Sequence, residues 1–259
     1  MKAVMYGGGN IGRGFIGALL SQSGYRVTFI DVAAPVVEHL QKNECYPIRY
    51  VFSGGHEDVL VENVTAVNGN HTQIQGIFRL LGKSTVTNCT FKNNTCNMVI
   101  SLNYDSANND PQVVKNCVFE NNICNDTAVL YYVKGASCTL DGNKFVGNTV
   151  NCNGNGATVY MGFTENNTIT NNVFKNNVVK AAGTSKRVAG ALMVGYEAVI
   201  TNNAFIDNKV EGTNAKGNDV CASVYYTDID LSGNYWGTLD LLEITSRIRN
   251  YSEERVLIS

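Results

Sequence analysis

The sequence predicts a mainly β fold: a right-handed parallel β-helix of about six coils, preceded by a truncated Rossmann-like βαβ unit. Three observations carry this expectation. First, six segments repeat almost the same pattern: Val86-Thr87-Asn88-Cys89-Thr90-Phe91, Val114 to Phe119, Leu140 to Phe145, Ile169 to Phe174, Ile200 to Phe205 and Leu231 to Trp236. Their aromatic ends are spaced 28, 26, 29, 31 and 31 residues apart, a period that marks a solenoid. Second, each repeat carries one further stretch of alternating apolar residues, the signature of a strand with one face turned inward. Third, the first 31 residues hold a strand, a glycine-rich turn, a helical pattern, a second strand and an acid, in that order.

The repeat explains the elements from residue 59 onward. Five positions before each aromatic residue stand Val86, Val114, Leu140, Ile169, Ile200 and Leu231. Three positions after it stand Asn94, Asn122, Asn148, Asn177 and Asn208, and five after it Cys96, Cys124, Val150, Val179 and Val210. Apolar columns separated by asparagine describe short strands joined by sharp corners. Asparagine tolerates left-handed backbone angles, and its amides can bond one another from coil to coil. The second strand of each coil falls on 98–102, 128–132, 157–161, 190–194 and 222–226, with first, third and fifth positions expected inward and second and fourth outward. Val61-Glu62-Asn63-Val64-Thr65-Ala66 fits the same template weakly, as a degenerate first coil. At the other end, Leu241, Leu242, Ile244 and Ile248 recur at helical spacing and predict an amphipathic cap over the open stack. The expected domains are therefore 1–58, 59–237 and a cap at 238–259.

Composition narrows the function classes. A net charge of −2 gives no basic field for nucleic acid. No apolar run reaches the roughly 18 residues of a membrane span. The N-terminus meets glycines too soon for a secretory leader, so the encoded chain reads as cytoplasmic. The eight cysteines show no CxxC, and His39, His56 and His71 have no metal-ligand spacing, so no metal is expected. Cys89 and Cys117 share one repeat position, and Cys96 and Cys124 share another that continues as valine. Thiols that alternate with valine read as core filler; a disulfide between stacked cysteines is geometrically possible but not required.

The asparagine columns and the segment Asn234-Tyr235-Trp236-Gly237-Thr238 resemble the right-handed β-helix repeats of pectate-lyase-like and adhesin-like surface proteins. This resemblance covers roughly residues 59–259. It implies the fold and leaves activity open, because such folds host lyases, hydrolases, epimerases and non-catalytic binders. It also implies an extracellular setting, at odds with the N-terminus.

In the N-terminal segment, Lys2-Ala3-Val4-Met5-Tyr6 runs into Gly7-Gly8-Gly9-Asn10-Ile11-Gly12, a helical pattern comes next, and Tyr25 to Ile30 ends in Asp31. That is the dinucleotide fingerprint in its required context: glycines bring backbone N–H groups to a pyrophosphate at a helix N-terminus, and Asp31 accepts from ribose hydroxyls, favouring NAD over NADP. Together with Arg13-Gly14-Phe15-Ile16-Gly17, Thr28-Phe29-Ile30-Asp31-Val32, Tyr46-Pro47-Ile48 and Val61 to Gly69, it resembles the start of the mannitol-1-phosphate 5-dehydrogenases. These are long-chain polyol dehydrogenases that interconvert mannitol 1-phosphate and fructose 6-phosphate with NAD. The resemblance implies cofactor contacts at Gly7, Gly9, Asn10, Ile11, Gly12 and Asp31. It stops near residue 70, with no counterpart to the family's catalytic domain, so no catalytic residue is assigned. The chain reads as a chimera: the opening of an enzyme joined to an unrelated solenoid.

On the solenoid, outward positions of the second strand bring Tyr131, Tyr160 and Tyr225 into line with Ser101 and Met193, an expected aromatic strip for stacking sugar rings. Lys180, Lys186, Arg187, Lys209 and Lys216 gather in the longer loops and would suit an anionic glycan. Asp207, Asp219, Asp228 and Asp230 fit neither the calcium-assisted base of a polysaccharide lyase nor the paired acids of a hydrolase. Asn-x-Ser/Thr triplets such as Asn88-Cys89-Thr90 arise from composition. The expected function is a non-catalytic, adhesin-like binder of glycan or another surface macromolecule. A dehydrogenase by descent is the alternative, and a polysaccharide lyase or hydrolase is the second alternative.

Overall fold

The computed structural model describes residues 2–6, 20, 23, 26–30, 59–71, 76–103, 111–132, 137–162, 164, 166–182, 187–212, 219–222, 229–250 and 256–258. The chain divides into two compact units, Met1–Gly55 and His56–Ser259. In the first, Lys2–Tyr6 pairs in parallel with Arg26–Ile30, Lys2 opposite Arg26 and Tyr6 opposite Ile30. In the second, parallel strands stack in register through six successive coils of four strands each, a β-solenoid.

Each coil contributes one strand to each of four parallel sheets. The first sheet holds Val59–Glu62, Ser84–Thr87, Gln112–Lys115, Cys138–Asp141, Asn167–Thr170 and Ala198–Thr201. The second holds the phenylalanines, running from Thr65–Val67 to Ala204–Ile206. The third runs from Asn70–His71 to Lys209–Gly212. The fourth runs from Phe78–Leu81 to Val220–Ala222, and Ile248–Asn250 joins it as a seventh strand. The corners from the first sheet to the second and from the second to the third are two residues long, and each strand pairs with its equivalent one coil away.

The predicted columns are present. Phe91, Phe119, Phe145, Phe174 and Phe205 are fully buried and stack face to face, with centroid separations of 5.0, 4.6, 5.0 and 5.2 Å. Trp236 extends the file at 4.9 Å. Val61, Val86, Val114, Leu140, Ile169 and Ile200 are register partners in sequence. So are Cys96, Cys124, Val150, Val179 and Val210. The rung spacing of about 4.8 Å sets the stacking distance, so identical rings fit where unlike shapes would leave gaps. The segment 61–66 is an in-register first coil, with Ala66 opposite Phe91.

The corners divide labour between two adjacent positions. The left-handed angles belong to exposed residues: Asn63, Asn88, Asn116, Asn171 and Asn202 at one corner, and Asn68, Asn93, Asn121, Asn176 and Asp207 at the next, with φ of 51–58°. Gly142 and Gly147 replace asparagine in coil four at φ +67° and +64°. The next residue builds a ladder where it is asparagine, from Asn94 onward at the second corner and from Asn143 onward at the first; Val64, Gly69, Cys89 and Cys117 precede them. Asn148 shows the pattern: its Nδ2 donates to the Phe119 carbonyl at 2.9 Å and to Asn177 Oδ1 at 3.0 Å. Its Oδ1 accepts from the backbone N and the Nδ2 of Asn122, both at 3.0 Å. All four hydrogen-bonding positions of a buried amide are filled, which is the condition for burying it without penalty. One ladder runs Asn94, Asn122, Asn148, Asn177, Asn208; a second, two residues before the aromatic file, runs Asn143, Asn172, Asn203, Asn234. Left-handed angle and stacked amide, expected of one asparagine, are thus met by two.

Two further expectations need correcting. In the fourth sheet the alternation holds for the third and fifth positions, but Val99, Val129 and Ala191 at the second position join the main core. Ala128 and Ala157 at the first position pack instead with Tyr160 and Met193 in a small separate cluster. The strand enters from a corner, and its register shifts between Ala157 and Val159 on pairing with coil five, so strict period two starts late. Among the described residues, the helical spacing expected to run to Ile248 also ends early. Only Leu241–Ser246 is helical, N-capped by Asp240, whose Oδ1 accepts from the backbone of Leu242 and Glu243. Ile244 alone in this helix is buried, while Leu242 is 83% exposed. Ile248 leaves the helical pattern because 248–250 pairs with Val220–Ala222.

The Asn94–Asn208 ladder ends on a carboxylate. Asn208 Nδ2 donates to Asp219 Oδ1 at 2.8 Å, and Arg247 Nη1 stands 3.5 Å from Asp219 Oδ2. Arg247 also donates to the Trp236 carbonyl and to Glu243. Burial pushes the Asp219 carboxyl up to about 6, against the pull of Asn208 and Arg247.

Asn148→Ala should cost about 3 kcal/mol, because it orphans several buried partners at once. Phe145→Ala should cost roughly 3–5 kcal/mol, and exposed Asn151→Ala less than about 0.5 kcal/mol; denaturant midpoints rank the three. Asp219 keeps a proton when folded that the unfolded chain releases between pH 3.8 and about 6. Its contribution to stability is therefore present at the acidic end of that window and lost as pH rises through about 6. Asp219→Asn should flatten the melting temperature across this window; parallel profiles for variant and wild type would disprove the assignment.

Candidate functional site

Two places can hold a ligand. The first is the carboxyl edge of the N-terminal strand pair. Lys2–Tyr6 and Arg26–Ile30 run parallel and in register, so both end at one edge, joined through residues 7–25. A parallel pair requires such a crossover, and nucleotide ligands of open α/β sheets bind beyond the carboxyl ends of the strands. Gly7 is the next residue after the first strand, and Asp31 the next after the second. Gly7, Gly9, Asn10, Ile11, Gly12 and Asp31 themselves lie outside the described residues.

The second is a pocket of about 270 Å³ on the outer side of the solenoid, where the third sheet turns into the fourth. Coil three supplies Asn125, Asp126, Thr127 and Tyr131; coil four supplies Cys152, Asn153, Gly154, Asn155 and Tyr160. Register builds it: Ala128 pairs with Ala157 and Tyr131 with Tyr160, so the two corners open side by side. Asn151 Nδ2 donates to Asn125 Oδ1 at 2.8 Å, and Thr127 Oγ1 donates to Asp126 Oδ1 at 3.0 Å. The Tyr131 and Tyr160 rings meet at 5.4 Å and 63°, edge to face.

The expected tyrosine strip is therefore a recess and not a flat platform. Tyr160 is 1% exposed and Tyr131 half-buried. Gly162 makes room for the Tyr160 ring: a Cβ there would come within 2.4 Å of Cε1. Gly156 does the same for Cys152, whose Sγ would sit 2.5 Å from an added Cβ. Tyr225 lies outside the described residues, and its expected alignment fails: the sixth strand of the fourth sheet is Val220–Ala222, which puts Cys221 opposite Met193. Asp126, Asn153 and Asn155 were not singled out from sequence; the run Asn153-Gly154-Asn155-Gly156, longer than the single Asn97 at the equivalent corner of coil two, is the signal that marks them.

Burial, with the nearby Asp126 charge adding to it, raises the Tyr131 phenol above its usual value, so it stays protonated as a donor. Burial likewise raises the Cys152 thiol, and lifts Cys138 to about 12, which leaves both as poor nucleophiles. Cys89, Cys96, Cys117, Cys124, Cys138 and Cys152 are free and buried; Cys96 and Cys124 face each other with sulfurs 3.9 Å apart.

Among the described residues, the other charged candidates are engaged separately. Asp207 occupies a left-handed corner, Asp219 ends the ladder, and Asp230 Oδ1 accepts from the Ser232 backbone. Lys180 lies opposite Glu211 in the third sheet. Lys186, Lys216 and Asp228 lie outside the described residues. Among the described residues there is no group of three or more His, Cys, Asp or Glu able to hold a metal, and no helix long and apolar enough to cross a membrane.

Comparison with known proteins bears on the first site. Residues 1–123 match the model of the mannitol dehydrogenase Rossmann domain. Mannitol-1-phosphate 5-dehydrogenase of Brevibacillus brevis is 48% identical over 69 residues, 27% of this chain and 18% of that protein. The enzyme of the same name from Ajellomyces capsulatus is 36% identical over 88 residues, 34% of this chain and 22% of that protein. The chain thus spans about a fifth of the length of the curated relatives it matches. No solved structure matches. The match of the family model runs past residue 59, where the solenoid coils begin. The N-terminal third of the chain is similar to mannitol-1-phosphate dehydrogenases, and the solenoid coils extend from within that third toward the C-terminus.

Proposed function

We propose that the solenoid is a non-catalytic binding scaffold whose pocket at Tyr131 and Tyr160 takes one saccharide unit of a glycan, in the manner of an adhesin. The pocket itself carries this reading. Its volume lies just under the roughly 300–1,000 Å³ of sites for drug-sized ligands, suited to a single sugar ring. Its chemistry is that of sugar recognition: the half-buried Tyr131 ring for the C–H face, with amides, a hydroxyl and a carboxylate for the ring hydroxyls. The buried thiol of Cys152 and the single carboxylate of Asp126 in the described lining offer no nucleophile or acid–base pair. A glycan array should show binding by wild type that Tyr131→Ala reduces about tenfold, the loss of one aromatic contact. Tyr235→Ala, exposed at the far end of the solenoid, should leave it unchanged. Equal, negligible signals from all three proteins would remove the binding claim.

A second reading concerns the N-terminal unit, which we propose binds NAD. It is supported by the parallel strand pair ending at Tyr6 and Ile30, the residues before Gly7 and Asp31, and by the family-model match over this segment. Calorimetric titration with NADH should give saturable heat that Asp31→Ala weakens about tenfold, the order of one hydrogen bond to a charged group. No heat at millimolar cofactor would end this reading. Mannitol 1-phosphate with NAD should give no turnover by this 259-residue chain, because the part it shares with the dehydrogenases is about a fifth of their length; measurable turnover would overturn that expectation.

A further inference from the structure

We infer that the Tyr131–Tyr160 pocket selects a saccharide carrying a free amine over neutral and acidic ones. This rests on the glycan reading of the same pocket and goes further, because the charge of the lining discriminates among sugars. Among the described residues, Asp126 is the one charged member of the lining, and no Lys, Arg or His takes part. Around it stand two tyrosine rings, set edge to face at 5.4 Å. An ammonium group in this recess meets the Asp126 carboxylate and the half-buried Tyr131 ring, which the buried Tyr160 ring backs, and both attract it. The amides of Asn153 and Asn155 and the hydroxyl of Thr127 remain for the sugar hydroxyls.

An acidic sugar meets the opposite conditions. Its carboxylate would lose water on entering and find Asp126 as its neighbour, with no cation of the described lining to balance it. The Tyr131 phenol, held protonated by burial and by Asp126, does not add a second negative charge. Of the basic residues that suggested an anionic glycan from sequence, Lys180, Arg187 and Lys209 are absent from the described lining, and Lys186 and Lys216 lie outside the described residues. The first hydrogen-bonding layer is also fixed in place. Thr127 orients Asp126 from one side, and Asn151 holds Asn125 from the other. The carboxylate is thus presented by a corner that the coil register defines, and Asp126 is exposed enough to be replaced without disturbing the core.

The test is a calorimetric titration of the full chain with three oligosaccharides of equal length: chitosan oligomers with free amines, their fully N-acetylated counterparts, and oligogalacturonate. It is run below the amine's own pKa. The free-amine sugar should bind about tenfold more tightly than the acetylated one, the order expected of one partly desolvated cation–π and carboxylate contact. Oligogalacturonate should bind most weakly. Asp126→Asn should erase the preference for the amine while keeping affinity for the acetylated sugar, and raising the pH until the amine is neutral should do the same to wild type. Equal affinity for amine and acetylated sugars, or tightest binding of oligogalacturonate, overturns this inference and leaves the glycan reading standing. Absence of binding by all three sugars overturns both.

Discussion

Hydrogen bonding between equivalent asparagines one coil apart is the constraint on which the rest of this solenoid depends. The corners on either side of the second sheet must turn the chain within two residues, which leaves backbone groups for side chains to satisfy. The ladder amides satisfy them: Asn94, Asn122, Asn148, Asn177 and Asn208 donate to the carbonyls of Ala66, Phe91, Phe119, Phe145 and Phe174 in turn. Because each amide also accepts from the coil before it, the ladder has a direction. It begins where Asn94 Oδ1 accepts from the Gly69 backbone and ends on the Asp219 carboxylate. A ladder with direction needs an acceptor at its last rung, and the carboxylate supplies the stronger, charge-assisted kind. The Arg247 guanidinium then draws the closing segment onto that end.

With the corners held, coil-to-coil register is set, and register makes the core and the pocket at once. The phenylalanine file is the inner consequence and the Asn125–Tyr131 and Cys152–Tyr160 recess the outer one. Both arise because residue i of one coil lies beside its equivalent in the next, which brings side chains nearly thirty positions apart into contact. The recess forms at coils three and four because the corner after the third sheet has lengthened there, while the register beneath it is unbroken until the irregularity beyond Ala157. The irregularity falls beside the recess, as bulges often do next to binding sites.

The junction of the two halves explains why two resemblances overlap. Val61 to Gly69 reads as part of a dehydrogenase start, yet in the structure it supplies the first two strands and corners of coil one. A short apolar strand leading into Asn-Gly suits either setting. Pairing decides between them: Val61 lies opposite Val86 and Ala66 opposite Phe91, and this segment completes the stack. Local sequence alone could not make that choice, because strand preference depends on what lies across the sheet.

The periodicity of the chain by itself determined the parallel stack, its columns and the single file of rings, because each inward position recurs with the same chemistry and its neighbours in the stack are copies of itself. It also placed Tyr131 and Tyr160 on adjacent coils, while the local pattern of the first 31 residues gave the strand pair that precedes Gly7 and Asp31. Three things were left to the tertiary structure. Which asparagine bends the chain and which one bonds its neighbours depends on the direction each side chain takes at the corner. Whether the tyrosines form a platform or a recess depends on the walls raised by Asp126 and Asn153. The role of Asp219, eleven residues past its hydrogen-bond partner Asn208 and outside the repeat, depends on where the ladder runs out of asparagines. Repeated residues can be read one at a time because their surroundings repeat; an end, a wall or a closing contact happens once, and its surroundings exist only in the folded chain.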